Sequence, residues 1–182
     1  MMATTHAAVG LALAAPLVWI APELAPVAAV GALVGGVVPD VDLFVGTHRK
    51  SLHFPVYYTL AAVLVGLVAV VAPSAVVVAI AFFLLSAGVH SISDWFGAGD
   101  ELRPWHRTSD RAVYVHPAKR WLRPRYVVRY DGAPEDLVLT LLFSIPGYLA
   151  FDGGLRLVVL VGVAVAVFYT GFRKRMPEWF NI

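Results

Sequence analysis

The chain has 182 residues, of which 59% are hydrophobic and only 14% are charged, and its formal net charge is +2. Soluble domains carry about 25% charged residues, so this composition and the mean hydropathy of +0.75 argue against a water-soluble globular protein. The absence of cysteine from the sequence excludes disulfide bonds and thiolate metal ligands.

Six apolar segments predict an all-α fold, a polytopic helical bundle in a membrane. Val, Leu, Ala, Ile and Gly dominate every segment, and no Lys, Arg, Asp or Glu lies in the middle of one. Several are short for a span of about 20 residues, so four or five spans are the alternative to six. All 182 residues are predicted to form a single membrane domain. In chain order the segments are residues 6–20, 24–38, 55–72, 75–90, 137–151 and 155–172.

The first segment has some features of a signal peptide. "LALAAP" contains the small residues of a cleavage site, but the leading "MMATTH" has no Lys or Arg. Signal peptides begin with a basic region. The segment is therefore predicted to be a membrane helix, and a cleaved signal peptide is the less favoured alternative.

The basic residues lie almost entirely on one side of this predicted bundle. If six helices alternate in direction, the amino terminus, the 39–54 loop, the 97–134 segment and the carboxyl terminus share that side. Only Arg156 of the fourteen Lys and Arg residues then lies opposite. The positive-inside rule makes the basic side cytoplasmic. The sequence therefore predicts a multi-pass protein of the cell membrane with both termini in the cytoplasm.

Residues 97–134 form the one long polar stretch and are predicted to be a small cytoplasmic cap, inserted between the fourth and fifth helices. Within it, "AVYVH" and "RYVVRY" are β-branched and aromatic and are bounded by proline, which is typical of two short strands in a hairpin. Aromatic residues mixed with arginine suit the headgroup layer of a membrane. Such a mixture also occurs in nucleic-acid-binding proteins, but the position between membrane helices favours lipid as the partner and no nucleic acid.

Histidine and aspartate residues gather at the predicted cytoplasmic helix ends. "TTH" begins the first helix and "PDVD" follows the second. The loop "HRKSLH" contributes two histidines, and "HSISD" ends the fourth helix with His and Asp four residues apart, on one helical face. The seven candidate residues are His6, Asp40, Asp42, His48, His53, His90 and Asp94.

Imidazole and carboxylate groups together suit zinc, manganese or iron, and several of each suit a two-metal site. Ionisable groups at membrane depth are functional candidates by default, and the GxxxG of Gly31 and Gly35 permits close helix packing around them. Each motif has a simpler interpretation when taken alone: a capped turn for "PDVD", an orientation signal for "HRKSLH" and a hydrogen-bonded helix end for "HSISD". His106 and His116 of the cap are interpreted as solvated.

The ordered set "TTH", "PDVD", "HRKSLH" and "HSISDW…GDELRPW" resembles the LexA-regulated, YdjM-like family of membrane-bound metal-dependent hydrolases, and its archaeal branch most closely. The resemblance covers Thr5 to about Asp136, and the final helix pair matches only in hydropathy. It implies a hydrolase and a functional polar set. That set is Asp40, Asp42, His48, His53, His90 and Asp94, joined by His6 from "TTH".

A fainter similarity links the chain to zinc-dependent phospholipase C, whose metal site uses an ordered series of His, Asp, His and HxxxD. The later HxxxE pair of that enzyme class has no counterpart in this sequence, which argues against a full three-zinc site and favours one or two metal ions. The positions that match the series are His6, Asp40 or Asp42, His53, His90 and Asp94.

Together these features predict a metal-dependent hydrolase that cleaves an ester or phosphoester of a lipid-like substrate at the cytoplasmic membrane face. Asp42 and His48 are expected to act as general base or to orient the ligands. Arg103, together with Arg49 and Arg107, is expected to hold a phosphate group. The expected ligands of a divalent metal, zinc before manganese or iron, are Asp40, His53, His90 and Asp94, followed by His6.

Two other classes of function are kept as alternatives. A non-catalytic, metal-stabilised scaffold or regulatory membrane protein would use the same ligands in a closed coordination shell. A cation transporter would place its ligands near the bilayer midplane, whereas the centres of these segments carry no charge. Transport therefore ranks below hydrolysis.

Overall fold

The structure, a computed structural model, describes residues 1–179. Two strands, β1 (Val113–Val115) and β2 (Arg120–Leu122), form an antiparallel hairpin. Short 3-10 helices cover Val38–Leu43, Asp94–Phe96 and Pro104–His106. The α-helices are α1 (Ala3–Ala14), α2 (Leu17–Ile20), α3 (Ala25–Val37), α4 (Pro55–Val71), α5 (Ala75–Ser93), α6 (Pro134–Ala150), α7 (Gly153–Phe172) and α8 (Met176–Trp179).

Four stretches of the described chain are long and apolar enough to cross a membrane, and α4 is apolar but shorter. The prediction of a mostly helical protein with membrane-type helices and a small hairpin is confirmed at this level. The number of six spans stays a prediction. The four stretches are Ala3–Ile20, Ala25–Leu43, Ala75–Phe96 and Gly153–Phe172.

Several helices expose apolar side chains that a soluble protein would bury. Leu60 and Leu64 of α4 are exposed, as are Leu157, Val161 and Phe168 of α7. Extended apolar surface of this kind marks contact with a membrane or another protein. Because the same helices are apolar along their length, lipid is the natural solvent for these faces.

The helices α1, α3 and α5 form the centre of the bundle. α3 packs against α1 and α5, α4 packs on α5, α6 packs on α1, and α7 packs on both α6 and α1. Small residues make up much of the buried core, among them Ala14, Ala28, Ala29 and Ala32. Small side chains let helix backbones approach closely, and this packing brings the ends of α1, α3 and α5 together.

The GxxxG of α3 lies against α5. A Cβ atom added to Gly31 or to Gly35 would collide with a backbone carbonyl oxygen of α5. On the other side of α3, a Cβ atom on Gly36 would lie 2.7 Å from the carbonyl oxygen of His6 in α1. These glycines therefore set the distances between the helices that carry candidate ligands.

Two prolines change the first two helices relative to the hydropathy-based prediction. The segment predicted as residues 6–20 is α1 followed by the separate turn α2, and Pro16 lies at the break because proline has no N–H to donate. After α3, Pro39 lies near the start of the tighter 3-10 helix Val38–Leu43. This 3-10 helix carries Asp40 and Asp42, so both acids lie in ordered helical backbone.

The cap differs from its prediction in the second strand. β1 lies within the predicted "AVYVH", but β2 is residues 120–122, not "RYVVRY". Three backbone N–H groups within residues 125–128 instead donate to carbonyl oxygens of residues 95–97, just beyond α5. The φ of Tyr126 is +54°, which interrupts an extended strand at this point. Residues 125–128 therefore hold the cap against the end of α5.

Candidate metal centre

The candidate ligands lie where the ends of α1, α3 and α5 meet. His6 is in the first turn of α1, Asp40 is in the 3-10 helix after α3, and His53 precedes α4. His90 is near the end of α5, and Asp94 begins the next turn. All of these side chains are buried except that of Asp40, which is 15% exposed.

Asp40, His53, His90 and Asp94 form the tightest group, in which one ligand atom of each residue lies within 4.8 Å of all the others. The Nε2 atom of His53 is 3.2 Å from Oδ2 of Asp94 and 3.7 Å from Oδ1 of Asp40. The Nε2 atom of His90 is 3.6 Å and 3.4 Å from the same two oxygens. We call these four residues the metal cluster, because two imidazole nitrogens and two carboxylate oxygens are a donor set that divalent cations take.

The hydrogen bonding of His90 favours a cation in this volume. Its Nδ1 atom lies 2.8 Å from the carbonyl oxygen of Gly36, which only accepts hydrogen bonds, so Nδ1 carries the hydrogen. In the neutral imidazole, Nε2 then presents a lone pair. That buried atom has no hydrogen-bond partner within residues 1–179 and faces the two carboxylates. A cation between these groups would satisfy all of them.

Asp42 lies behind His53 and orients it. Its Oδ2 atom accepts a hydrogen bond of 2.9 Å from Nδ1 of His53, which leaves Nε2 of that ring facing the metal cluster. The same carboxylate accepts from Nδ1 of His48 at 2.9 Å and from two backbone N–H groups of residues 49–52. Carboxylate–histidine pairs of this kind fix the ring orientation of metal ligands.

His53 lies between the carboxylates of Asp42 and Asp94. Burial by itself lowers the pKa of the imidazole, but the hydrogen bonds to Asp42 and Asp94 outweigh burial and raise that pKa above its usual value. The same carboxylates would also attract a metal cation, which would displace a proton from Nε2 of His53.

Asp94 also contacts three residues outside the metal cluster. Its Oδ1 atom accepts a hydrogen bond of 2.8 Å from the amine of Met1 and lies 3.2 Å from Nε2 of His6. The Nε atom of Arg49 is 3.8 Å from Oδ2. The His6 ring also stacks on His90, with 3.6 Å between the ring centroids. His6 therefore lies beside the metal cluster and contacts one of its carboxylates.

A buried carboxylate of α6 holds the first turn of α1. Asp136 accepts hydrogen bonds from the backbone N–H of Met2 at 2.8 Å, from the hydroxyl of Thr5 at 2.7 Å and from the backbone N–H of Gly132 at 3.0 Å. An acid at a helix amino terminus satisfies free N–H groups and interacts favourably with the helix dipole. This anchor fixes the position of His6 at the edge of the metal cluster.

Arg49 is buried, whereas the orientation signal suggested by "HRKSLH" taken alone would leave it exposed. Its guanidinium donates to the backbone carbonyl oxygens of Ala98 and Ala112 in the cap. Its side chain is only 7% exposed, and Asp94 supplies the counter-charge. The residue thus links the cap to the metal cluster. The sequence signal for this role was its position between two candidate ligands, His48 and His53.

A cavity of about 630 Å³ opens beside the metal cluster, within the range of about 300–1,000 Å³ that is typical of ligand pockets. Asp40, His48 and Arg49 line one polar end of it. The start of α1, the end of α3 and the end of α7 contribute a largely apolar wall. Because Nδ1 of His48 donates to Asp42, its Nε2 atom is left as a hydrogen-bond acceptor.

Arg103 and Arg107 are exposed and are absent from the lining of the 630-Å³ cavity in the described chain. Arg103 lines a smaller pocket of about 180 Å³ with Trp105 and Lys174. The phosphate-binding role expected of Arg103 and Arg107 stays a prediction. Arg49 is the arginine that lines the larger cavity beside Asp40.

The two histidines of the cap lie outside the metal cluster. His106 is exposed, as predicted. His116 is half-buried instead, with its ring centroid 4.6 Å from that of Phe54. Burial and the nearby ammonium of Lys50 lower the pKa of the His116 imidazole. His116 of the cap therefore packs against the loop that carries His53.

Comparison of the chain with protein-family models, with curated proteins and with solved structures gives no match. The resemblance to the YdjM-like hydrolases therefore rests on the motifs alone. The geometry is an independent observation, and it brings residues of "PDVD", "HRKSLH" and "HSISD" into one buried cluster.

Proposed function

We propose that the protein is a membrane-embedded, metal-dependent hydrolase that cleaves an ester or phosphoester of a lipid-like substrate. The observation that carries the proposal is the buried metal cluster, whose four ligand atoms converge within 4.8 Å beside a largely apolar cavity. One or two divalent ions held there, zinc before manganese or iron, would lower the pKa of a coordinated water to about 7 and stabilise charge on the attacked phosphorus or carbonyl. The YdjM-like resemblance of the motifs supports the same assignment.

His48 and Asp42 form the proton-transfer pair in this proposal. Asp42 accepts the Nδ1 hydrogen of His48, so the Nε2 atom is left to take the proton of the attacking water. The water oxygen bonds to the phosphorus or carbonyl carbon, and the bond from that atom to the alcohol oxygen breaks. Protonated His48 then gives its proton to the departing alkoxide. Asp42 keeps the ring in the tautomer that this transfer requires.

Arg49 supplies fixed positive charge at the reacting end. Its side chain is buried, lines the cavity and is held by the carbonyl oxygens of Ala98 and Ala112. Positive charge that is already oriented stabilises a developing anion without reorganisation. An anionic substrate head would lie in the cavity beside Arg49 and Asp40, which both line it.

The protein is proposed to cross the cell membrane several times, with both termini, the cap and the metal cluster on the cytoplasmic side. The charge distribution supports this orientation, since only Arg156 of the fourteen basic residues lies on the other side of the six-helix arrangement. Cysteine introduced near Arg120 should resist an impermeant reagent applied to intact cells, and cysteine near Asp152 should react. Labelling near Arg120 alone would overturn the orientation.

The hydrolase proposal is tested by turnover that depends on metal. Protein purified in detergent is supplied separately with zinc, manganese and iron, and is screened against phospholipids and isoprenoid phosphates. Asp94→Ala should abolish turnover, while Asp110→Ala, which alters an exposed acid of the cap, should leave it unchanged. Equal turnover in wild type and Asp94→Ala, or no turnover of any substrate by metal-loaded wild type, would reject the proposal.

A non-catalytic metal-stabilised scaffold is the second candidate, and the count of four ligands favours it, because structural zinc sites are closed by four protein ligands. The scaffold predicts full metal occupancy, a large loss of thermal stability on chelation and no turnover. A cation transporter ranks third, because the metal cluster lies at helix ends and not at helix centres.

A further inference from the structure

The 630-Å³ cavity lies between two helices that also face the membrane. Both α3 and α7 lie beside the start of α1, because Gly36 of α3 approaches the backbone of His6 and the hydroxyl of Thr170 in α7 contacts the sulfur of Met2. Val37 and Val41 line the cavity from the α3 side, and Val165 lines it from α7. The three side chains are 40%, 42% and 50% exposed. The same residues therefore form the cavity wall and part of the exposed apolar surface.

The loop after the 3-10 helix extends this apolar wall. Leu43 is 59% exposed and Phe44 is 86% exposed, and both line the cavity. They follow Asp40 and Asp42 within four residues, so they lie at the same end of the bundle as the metal cluster. Apolar side chains this exposed at the end of a membrane-type helix are stable in contact with lipid.

The cavity also has a polar end, in contrast to its apolar wall. Asp40 belongs to the metal cluster, Arg49 is a buried cation, and His48 presents its Nε2 atom as an acceptor when the ring is neutral. The other carboxylates of the lining are already engaged: Asp100 and Glu101 accept hydrogen bonds from residues 108–109 of the cap, and Asp131 is paired with Arg173. Metal ligands and a guanidinium together suit an oxyanion such as a phosphate group. An apolar wall that is continuous with the lipid-facing surface and ends at such groups suits an amphiphile with an anionic head.

We propose that this cavity is the chain-binding subsite of a long-chain amphiphile with a phosphate head, and that the chain enters laterally from the bilayer between α3 and α7. The hydrocarbon chain lies against Val37, Val41 and Val165, under the loop of Leu43 and Phe44. The phosphate lies toward Arg49. The assignment of the phosphate as the reacting end rests on the proposed function, whereas chain binding does not require turnover.

Photolabelling tests the subsite directly. The probe is dodecyl phosphate with a diazirine near the chain terminus, added to the wild-type protein in lipid nanodiscs and mapped by mass spectrometry after irradiation. Labelling should concentrate on the α3 end, the Leu43–Phe44 loop and Val165. Unlabelled dodecyl phosphate should suppress it, and inorganic phosphate at the same concentration should not. Suppression by inorganic phosphate to the same degree, or uniform labelling of exposed residues on α4 and α7, would overturn the chain subsite.

Two tryptophan variants of α7 provide the matched comparison. Val165→Trp fills the cavity wall, whereas Val167→Trp adds the same side chain at a position that is 52% exposed and outside the cavity lining. Val165→Trp should reduce labelling of the α3 end at least tenfold, and Val167→Trp should leave it unchanged. Equal labelling in the two variants would overturn the proposal.

The outcomes separate this inference from the hydrolase proposal. Specific labelling blocked by Val165→Trp, in a protein that turns over no substrate, supports the subsite and rejects the hydrolase. Metal-dependent turnover of long-chain substrates that Val165→Trp leaves unaffected supports the hydrolase and overturns the subsite.

Discussion

Two groups of polar side chains reach the same cavity, the first through Asp40 alone, and they differ in how completely their hydrogen bonds and charges are satisfied. The first is the metal cluster, and the second, which we call the latch, consists of Asp131, Tyr169 and Arg173. In the latch, Arg173 donates to both oxygens of Asp131, at 2.7 Å and 3.1 Å, and to the carbonyl oxygen of Leu102 at 3.0 Å. The hydroxyl of Tyr169 donates to the same carboxylate. One cation and one anion therefore compensate each other.

The metal cluster has no such pair of one fixed cation and one carboxylate among its four residues. The Nε2 atoms of His53 and His90 and one oxygen from each of two aspartates converge, and His90 Nε2 has no hydrogen-bond partner among residues 1–179. A satisfied pair such as the latch is explained by structure alone, because a buried charge requires a partner. Two imidazole nitrogens and two carboxylate oxygens that converge in this way form a group that could hold a metal ion. The latch therefore has a structural explanation, whereas the cluster is the candidate metal site.

The largest difference is expected when a ligand of each group is removed. His90→Ala and Asp94→Ala each delete one of four ligand groups and should lose most of the bound metal, as measured by elemental analysis of folded, purified protein. Asp131→Asn is the control, and it should retain wild-type metal content because the latch holds no metal. Full metal content in both cluster variants would show that the cluster is not the binding site.

Asp131→Asn should instead reduce stability. It leaves the guanidinium of Arg173, which is 9% exposed, without a carboxylate. Breaking a buried ion pair costs about 3–5 kcal/mol, and about 3 kcal/mol is expected here because the side chain of Asp131 is 22% exposed. A lower Tm with unchanged metal content supports a structural latch. An unchanged Tm would contradict it.

Asp42→Asn tests the layer behind the metal cluster. The amide cannot accept from both imidazoles and both backbone groups that Asp42 now satisfies. Removal of such a supporting carboxylate weakens metal affinity by about 10–100-fold, which competition with a metal-sensitive dye measures. Asp110→Asn, an exposed acid in the cap, is the control and should have no effect. If Asp42→Asn bound metal with wild-type affinity, Asp42 would not be a residue that supports the metal ligands.

Gly35→Ala should have the smallest effect on the metal cluster, because it acts only through packing. The added methyl group collides with a carbonyl oxygen of α5 and pushes apart the helices that carry Asp40 and His90. A loss of stability of about 1–3 kcal/mol is expected. Gly162→Ala has no atom within 4 Å of the new Cβ among the described residues and should be neutral or stabilising. Equal effects in the two variants, measured by thermal unfolding, would contradict close α3–α5 packing.

The sequence was sufficient for features that depend on hydropathy and on short spacings. Apolar composition predicted membrane-type helices, and the order of helix ends placed the four cluster residues at one face. His90 and Asp94 could be paired because residues four apart share a helical face. Gly31 and Gly35 predicted close packing, since a GxxxG pattern is itself the cause of that packing.

Features that depend on long-range contacts could not be predicted. Arg49 is buried because the cap folds over it, and the sequence pattern there is that of an exposed basic loop. Arg173 pairs with Asp131 across 42 positions, and no local periodicity encodes such a pair. The second strand was misplaced because "RYVVRY" has β-type composition but donates its hydrogen bonds to the backbone beyond α5. In each of these three regions, contacts with residues far away in the sequence decided the structure. For "RYVVRY" these contacts outweighed the local preference for a strand.

Metal content of the wild-type protein tests the central claim most directly. Protein purified in detergent without added chelator is analysed for zinc, manganese and iron, then stripped and titrated with zinc by calorimetry. We expect one or two divalent ions per chain, and we expect the Asp94→Ala variant to lose this binding while it remains folded. Stripped wild-type protein that binds no zinc, manganese or iron stoichiometrically would contradict the assignment of Asp40, His53, His90 and Asp94 as a metal centre.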